Sequence, residues 1–133
     1  FSLFMLEHYF PKNIKNDILD VAIIGGGQTG LGLCFSLQRK GICNVAVFDK
    51  NSEGLEGPWL TTARMQVLRT KKDLPGLSLG IPSLSFYSWY QAVYKNWEDL
   101  GKIPTAIWAE YLHWYRQVLQ LPVYNGWELK SII

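Results

Sequence analysis

The sequence predicts an α/β protein built on a parallel βαβ unit, and three observations carry that prediction. An apolar run, ILDVAII at 18–24, leads straight into Gly25-Gly26-Gly27-Gln28-Thr29-Gly30. A helical pattern follows, in which Leu31, Leu33, Cys34 and Leu37 recur on one side of a 3.6-residue period. A second apolar run, NVAVFD at 44–49, then closes on an acid.

Strand, glycine turn, helix, strand, acid is the order of the first half of a Rossmann-like unit. The first strand is apolar almost without interruption, which predicts a parallel strand covered on both faces. The helix is expected from Gln28 to Lys40, with Arg39-Lys40 in its last turn and Gly41 as its stop. From Lys50 to Ser85 the chain changes character. Gly54, Gly57, Pro58, Pro75, Gly76, Gly80 and Pro82 punctuate a long, mostly irregular loop. Ser85 is placed to cap a helix through FYSWYQAVYK, and a further helix begins near Pro104-Thr105. Trp108, Leu112, Tyr115 and Leu119 give that helix one apolar stripe, and Pro122 ends it. VYNGWELKSII reads as two short strands around an Asn125-Gly126 turn.

Composition narrows the function classes. A chain of 133 residues with 48% hydrophobic and 18% charged residues is the size and make-up of one globular domain. A net charge of +2, with Lys and Arg scattered, gives no footprint for nucleic acid or a membrane surface. Six Trp and seven Tyr call for a large partner surface or a bound ring system. Cys34 and Cys43 form no CxxC, so reduced thiols and a cytoplasmic setting are expected. Residues 1–17 are read as a lead-in segment carrying an amphipathic helix. Their apolar start, FSLFMLEHYF, is too short to span a bilayer and lacks the basic flank of a signal peptide. His8 and His113 have no partner at ligand spacing, so no metal is expected.

The glycines carry the chemistry. Gly25 permits the tight turn out of the strand, Gly27 lets backbone approach a pyrophosphate, and Gly30 lets helix and strand pack closely. The helix N-terminus adds N–H groups and the positive end of its dipole. Asp49, at the end of the second strand, is placed to accept both hydroxyls of a ribose. Beyond it, DKNSEGLEGPW has poor helical character where a plain nicotinamide domain would start another crossover helix. A loop of that kind suits a larger cofactor, FAD, whose ring extends beyond the pyrophosphate.

Three blocks, DVAIIGGGQTGLGLCFSLQRKG, VAVFDKNSEGLEGPW and AEYLHWYRQVLQLPV, resemble the class B flavin-dependent monooxygenases and the bacterial FAD/NAD(P)-binding oxidoreductases related to them. The likeness covers about residues 19–132. It implies that Gly25, Gly27, Gln28, Thr29 and Gly30 line the FAD pyrophosphate, and that Asp49 and Lys50 hold the adenosine ribose. It implies too that Gly57 and Trp59 border the pyrophosphate and flavin end, that Arg64 touches the flavin side, and that Leu129 sets a backbone amide near the adenine. Cys34 stands where such helices often have Gly or Ala. The family's second glycine motif and NADPH domain have no counterpart here, so residues 18–133 are read as an FAD-binding domain truncated before an NADPH domain. Such a lobe is not expected to turn over by itself; in the longer enzyme NAD(P)H reduces the flavin and O2 is activated there.

Two other readings stay open on the residues alone. One is the NAD-binding domain of a dehydrogenase; the other is a non-catalytic nucleotide-binding remnant that associates with itself or a partner through aromatic surface.

Overall fold

The computed structural model describes residues 18–133; the lead-in expected at 1–17 lies outside them. The chain forms two compact units, one from the described residues through Gly57 together with Gln120–Ile133, the other Pro58–Leu119.

Among the described residues the first unit is a three-stranded parallel sheet with one helix. Strand β1 is Val21–Ile24, helix α1 is Gln28–Arg39 and strand β2 is Val45–Asp49. Strand β3, Val123–Asn125, completes the order β1-β2-β3. All pairings are parallel, with Ile23 opposite Val47 and Val47 opposite Val123. Because side chains alternate across a strand, Ile23, Val45 and Val47 share the face that α1 covers with Leu31 and Cys34, all buried. On the other face Ala46 and Phe48 pack against Leu19, Tyr124 and Trp127. Phe48 stacks on Tyr124 at 5.6 Å and meets Trp127 edge-on at 6.0 Å.

Coverage on both faces therefore holds for β2, which is buried at every position, and fails for β1. Among the described residues strand β1 is a sheet edge; it begins at Val21 rather than Ile18 and leaves Ile24 51% exposed. The expected hairpin at the C-terminal end is also corrected. Only Val123–Asn125 forms a strand, and it lies parallel to β2. Gly126, at φ +79, does turn the chain, but Trp127 then donates its N–H to the Asp49 carbonyl at 3.1 Å. The chain folds over the end of β2 instead of returning along β3.

The second unit contains helix α2, Phe86–Val93, and helix α3, Thr105–Val118. Ser85 caps α2 as expected, its Oγ accepting the Ser88 N–H at 3.1 Å. Trp108, Leu112 and Tyr115 are buried along α3, whereas Leu119 falls just past its end. Most of residues 58–81 have no regular structure; a Val67–Pro104 bridge and a Leu68 N–H bond to the Ile103 carbonyl at 2.7 Å pin the segment to the start of α3. Phe86 stands at the centre of an aromatic cluster, within 5.7 Å of the rings of Trp89, Tyr90, Trp108 and Tyr111. The Tyr111 hydroxyl donates to the Leu84 carbonyl at 2.7 Å, so this nearly fully buried ring leaves its polar atom paired. Much of the aromatic content thus packs on itself, which the composition did not foretell.

Candidate nucleotide-binding site

Everything that positions this site follows from backbone meeting backbone at the C-terminal ends of β1 and β2. Gly25 leaves β1 at φ +107, a conformation L side chains rarely adopt, and its N–H still reaches the Phe48 carbonyl at 2.8 Å. Gly26 is buried, and a Cβ there would lie 3.3 Å from the Val123 side chain. Gly27 precedes α1 in extended conformation, and a Cβ on it would meet the Gly57 Cα at 3.4 Å. Gly30 is the most constrained: a Cβ would overlap the Gly25 carbonyl oxygen. Helix and strand can cross at this distance only because position 30 has no side chain.

The start of α1 is electrostatically open to an anion. Its first turn has no acidic residue, and Gly27 supplies no side-chain cap. The first helical bond is Leu31 N–H to the Gly27 carbonyl at 3.0 Å, so the N–H groups of the turn before it have no acceptor within the helix.

Asp49 is the buried acid of this region, only 6% exposed. Its Oδ2 accepts the Gly26 N–H at 2.7 Å and its Oδ1 accepts the Asn51 N–H at 2.8 Å. These bonds fix the carboxylate against the glycine turn. A carboxylate offers about four acceptor positions, so capacity for two hydroxyl donors remains. Around it opens a cleft of ≈ 390 Å³ lined by Ile24, Gly25, Phe48, Asp49, Lys50, Asn51, Trp127, Glu128 and Leu129. The cleft sits at the carboxyl ends of parallel strands, where open α/β sheets take their ligands. At its rim the Lys130 ammonium, 3.0 Å from Glu128, holds that carboxyl below the usual carboxylate range. Burial raises the nearby Tyr124 phenol.

Of the residues singled out in the sequence, Gly25, Asp49, Lys50 and Leu129 line this one cleft. Gly27, Gln28, Thr29 and Gly30 form the turn and first turn of α1 beside it, and Gly57 abuts Gly27. Trp59 and Arg64 belong to the second unit and do not line the cleft. Trp59 packs edge-on against Trp108 at 6.4 Å, its buried indole N–H without an acceptor among the described residues, and Arg64 is exposed. Sequence reasoning missed Asn51 and Trp127, because their contributions are backbone bonds to Asp49 that no spacing rule encodes. It also missed Asn125, read as a turn residue; its position beside Asp49 in the β2–β3 register depends on the unexpected parallel strand.

Among the described residues no group of three or more His, Cys, Asp or Glu could hold a metal ion. No helix among them is long and apolar enough to cross a membrane.

Comparison with known proteins agrees with this geometry. A family described as FAD-NAD(P)-binding matches residues 22–132. The FAD-dependent urate hydroxylase of Xanthomonas campestris pv. campestris is 49% identical over 117 residues, covering 86% of this chain and 25% of that protein. The chain thus spans about a quarter of that relative's length. With the family match running from β1 to the far side of β3, the chain belongs to the FAD-NAD(P)-binding family.

Proposed function

We propose that the chain supplies the adenosine and pyrophosphate half of an FAD site in a flavin-dependent oxidoreductase of the hydroxylating, monooxygenase-like type. The observation that carries this reading is the buried Asp49 carboxylate, held by two backbone N–H groups beside the glycine turn and facing the cleft. Likeness to a urate hydroxylase supports the hydroxylating chemistry.

In this reading Asp49 accepts the ribose hydroxyls, with Lys50 beside it. The Leu129 backbone meets the adenine edge, and Ile24 and Trp127 give the ring apolar walls. The pyrophosphate lies against Gly25, Gly27 and the first turn of α1, where the missing side chains admit it and the helix dipole favours its charge. Gly57 closes that approach from the opposite side. FAD held by these residues would supply the redox chemistry, hydride acceptance from NAD(P)H and O2 activation. The residues of this chain bind, orient and keep water from the cofactor's adenosine end. Turnover requires further protein beyond this lobe.

The test is titration of the purified chain with FAD and with NADH, followed by flavin fluorescence and calorimetry. FAD should bind, and Asp49→Asn should weaken it about 10-fold, the worth of one charge-assisted hydrogen bond. NADH binding without FAD binding would identify a dehydrogenase-type domain instead. Self-association with no nucleotide binding would identify an interaction module.

A further inference from the structure

Asn125 stands at the end of β3, directly opposite Asp49 in the sheet register. Its side-chain amide donates two hydrogen bonds away from the sheet, to the Asn51 carbonyl at 2.9 Å and to Glu56 Oε1 at 3.1 Å. The other oxygen of Glu56 accepts the Gly54 N–H at 2.8 Å. One amide therefore grips the loop 51–57 near both of its ends. The next residue is Gly57, at φ +69, whose Cα lies 3.4 Å from the place a Cβ on Gly27 would take. The Glu56 side chain also runs beside the turn, its Cγ 3.4 Å from the place of a Cβ on Gly26.

This arrangement puts a carboxylate next to a turn built for an anion. Left loose, Glu56 would oppose a phosphate by like-charge repulsion. Held by the Asn125 amide and the Gly54 N–H, its charge is taken up by donors on its own side. We infer that Asn125 is a positioning residue for the diphosphate: it restrains Glu56 and sets Gly57 against Gly27, so the loop leaves room for phosphate at the glycine turn. The inference rests on the cofactor reading above and adds to it a residue that touches no part of the nucleotide. Asn125 is not among the residues lining the cleft.

The experiment compares ligands that reach different parts of the site. Adenosine, ADP and FAD are titrated calorimetrically into the 133-residue chain and into Asn125→Ala, with circular dichroism to establish folding. ADP and FAD affinity should fall about 10-fold, as expected for losing hydrogen bonds to a charged group. Adenosine should change less than about 3-fold on the same scale. Equal losses for adenosine and ADP, or no loss for ADP, would overturn the inference while leaving the cofactor reading intact. If the unaltered chain binds neither adenosine nor ADP, the cofactor reading itself fails and the inference with it.

A second pair of variants guards against simple misfolding. Asn125→Asp faces the Glu56 carboxylate with another and should weaken ADP binding at least as much as the alanine. Adding Glu56→Gln reverses the polarity of the contact, because a Gln amide can donate to Asp and still accept from the Gly54 N–H. The double variant should recover ADP affinity by about 3-fold or more over Asn125→Asp alone. Strictly additive effects would show that positions 56 and 125 do not act together, and would sink the proposal.

Discussion

Around the glycine turn of the first unit, order comes from side chains left out. A Cβ on Gly30 would overlap the Gly25 carbonyl, and Gly27 and Gly57 nearly touch. In Pro58–Leu119 order comes from side chains added: Phe86 alone meets five other rings, Trp89, Tyr90, Trp97, Trp108 and Tyr111. The first kind of order leaves a cleft beside polar backbone, which a ligand can use. The second fills its space and serves as scaffold. The glycine turn of the first unit admits no side chain, whereas a Cβ on Gly76 or Gly101 in the second would meet no neighbour closer than 3.7 Å; a lost ring should matter most in the second.

Five perturbations would break or sharpen that contrast, beginning with the largest. Trp108→Ala removes a ring that packs on Phe86 and Tyr111. It should cost about 3–5 kcal/mol in urea unfolding, the usual cost of a buried aromatic truncation. Gly30→Ala should cost roughly 3 kcal/mol, at the upper end for overpacking, since the clash is with backbone that cannot rotate away. Gly101→Ala in the second unit, where a Cβ meets nothing within 4 Å, should stay within about 0.5 kcal/mol. Equal effects at positions 30 and 101 would erase the contrast.

Alkali offers a smaller effect in the first unit. Burial lifts the Cys34 thiol from 9.0 to about 11. The neutral thiol is the form the fold prefers, so its contribution is complete below the unfolded value and is lost as pH rises through the folded one. Stability should fall by up to about 1.4 kcal/mol per pH unit in the window between those two values. Equilibrium unfolding across that range, repeated on Cys34→Ala, should show the shallower slope in the variant. Burial also raises the Tyr111 phenol, so the second unit adds its own loss as pH rises past 10.0. Ser85→Ala, which removes the N-cap bond of α2, should cost about 1 kcal/mol, less than the losses at positions 108 and 30.

What could be read in the sequence follows the same divide. The βαβ order, the Ser85 cap and the α3 stripe were legible because each is a local pattern with one physical cause. The glycine turn was legible because its steric demands exclude other residue types. Nothing local marks VYN as a third parallel strand, since its partner lies across residues 50–122 in the chain. Misreading it as half of a hairpin concealed Asn125 and Trp127, whose roles exist only once β3 lies beside β2. The edge position of β1 was hidden for a similar reason: an apolar run does not say how many neighbours it has.

Strand β3 has a further consequence, for the timing of assembly during synthesis. The turn and Asp49 emerge early, but the pairing of Asp49 with Asn125 must wait until the whole of 58–119 has been made. Trp127 and Leu129 follow later still, so a nascent chain has the glycine turn long before it has the cleft. Closing so long a loop adds little entropy cost per extra residue, but such distant contacts form slowly. The cleft therefore waits for the completed sheet, and any ligand it takes would arrive after residues 120–129 are in place.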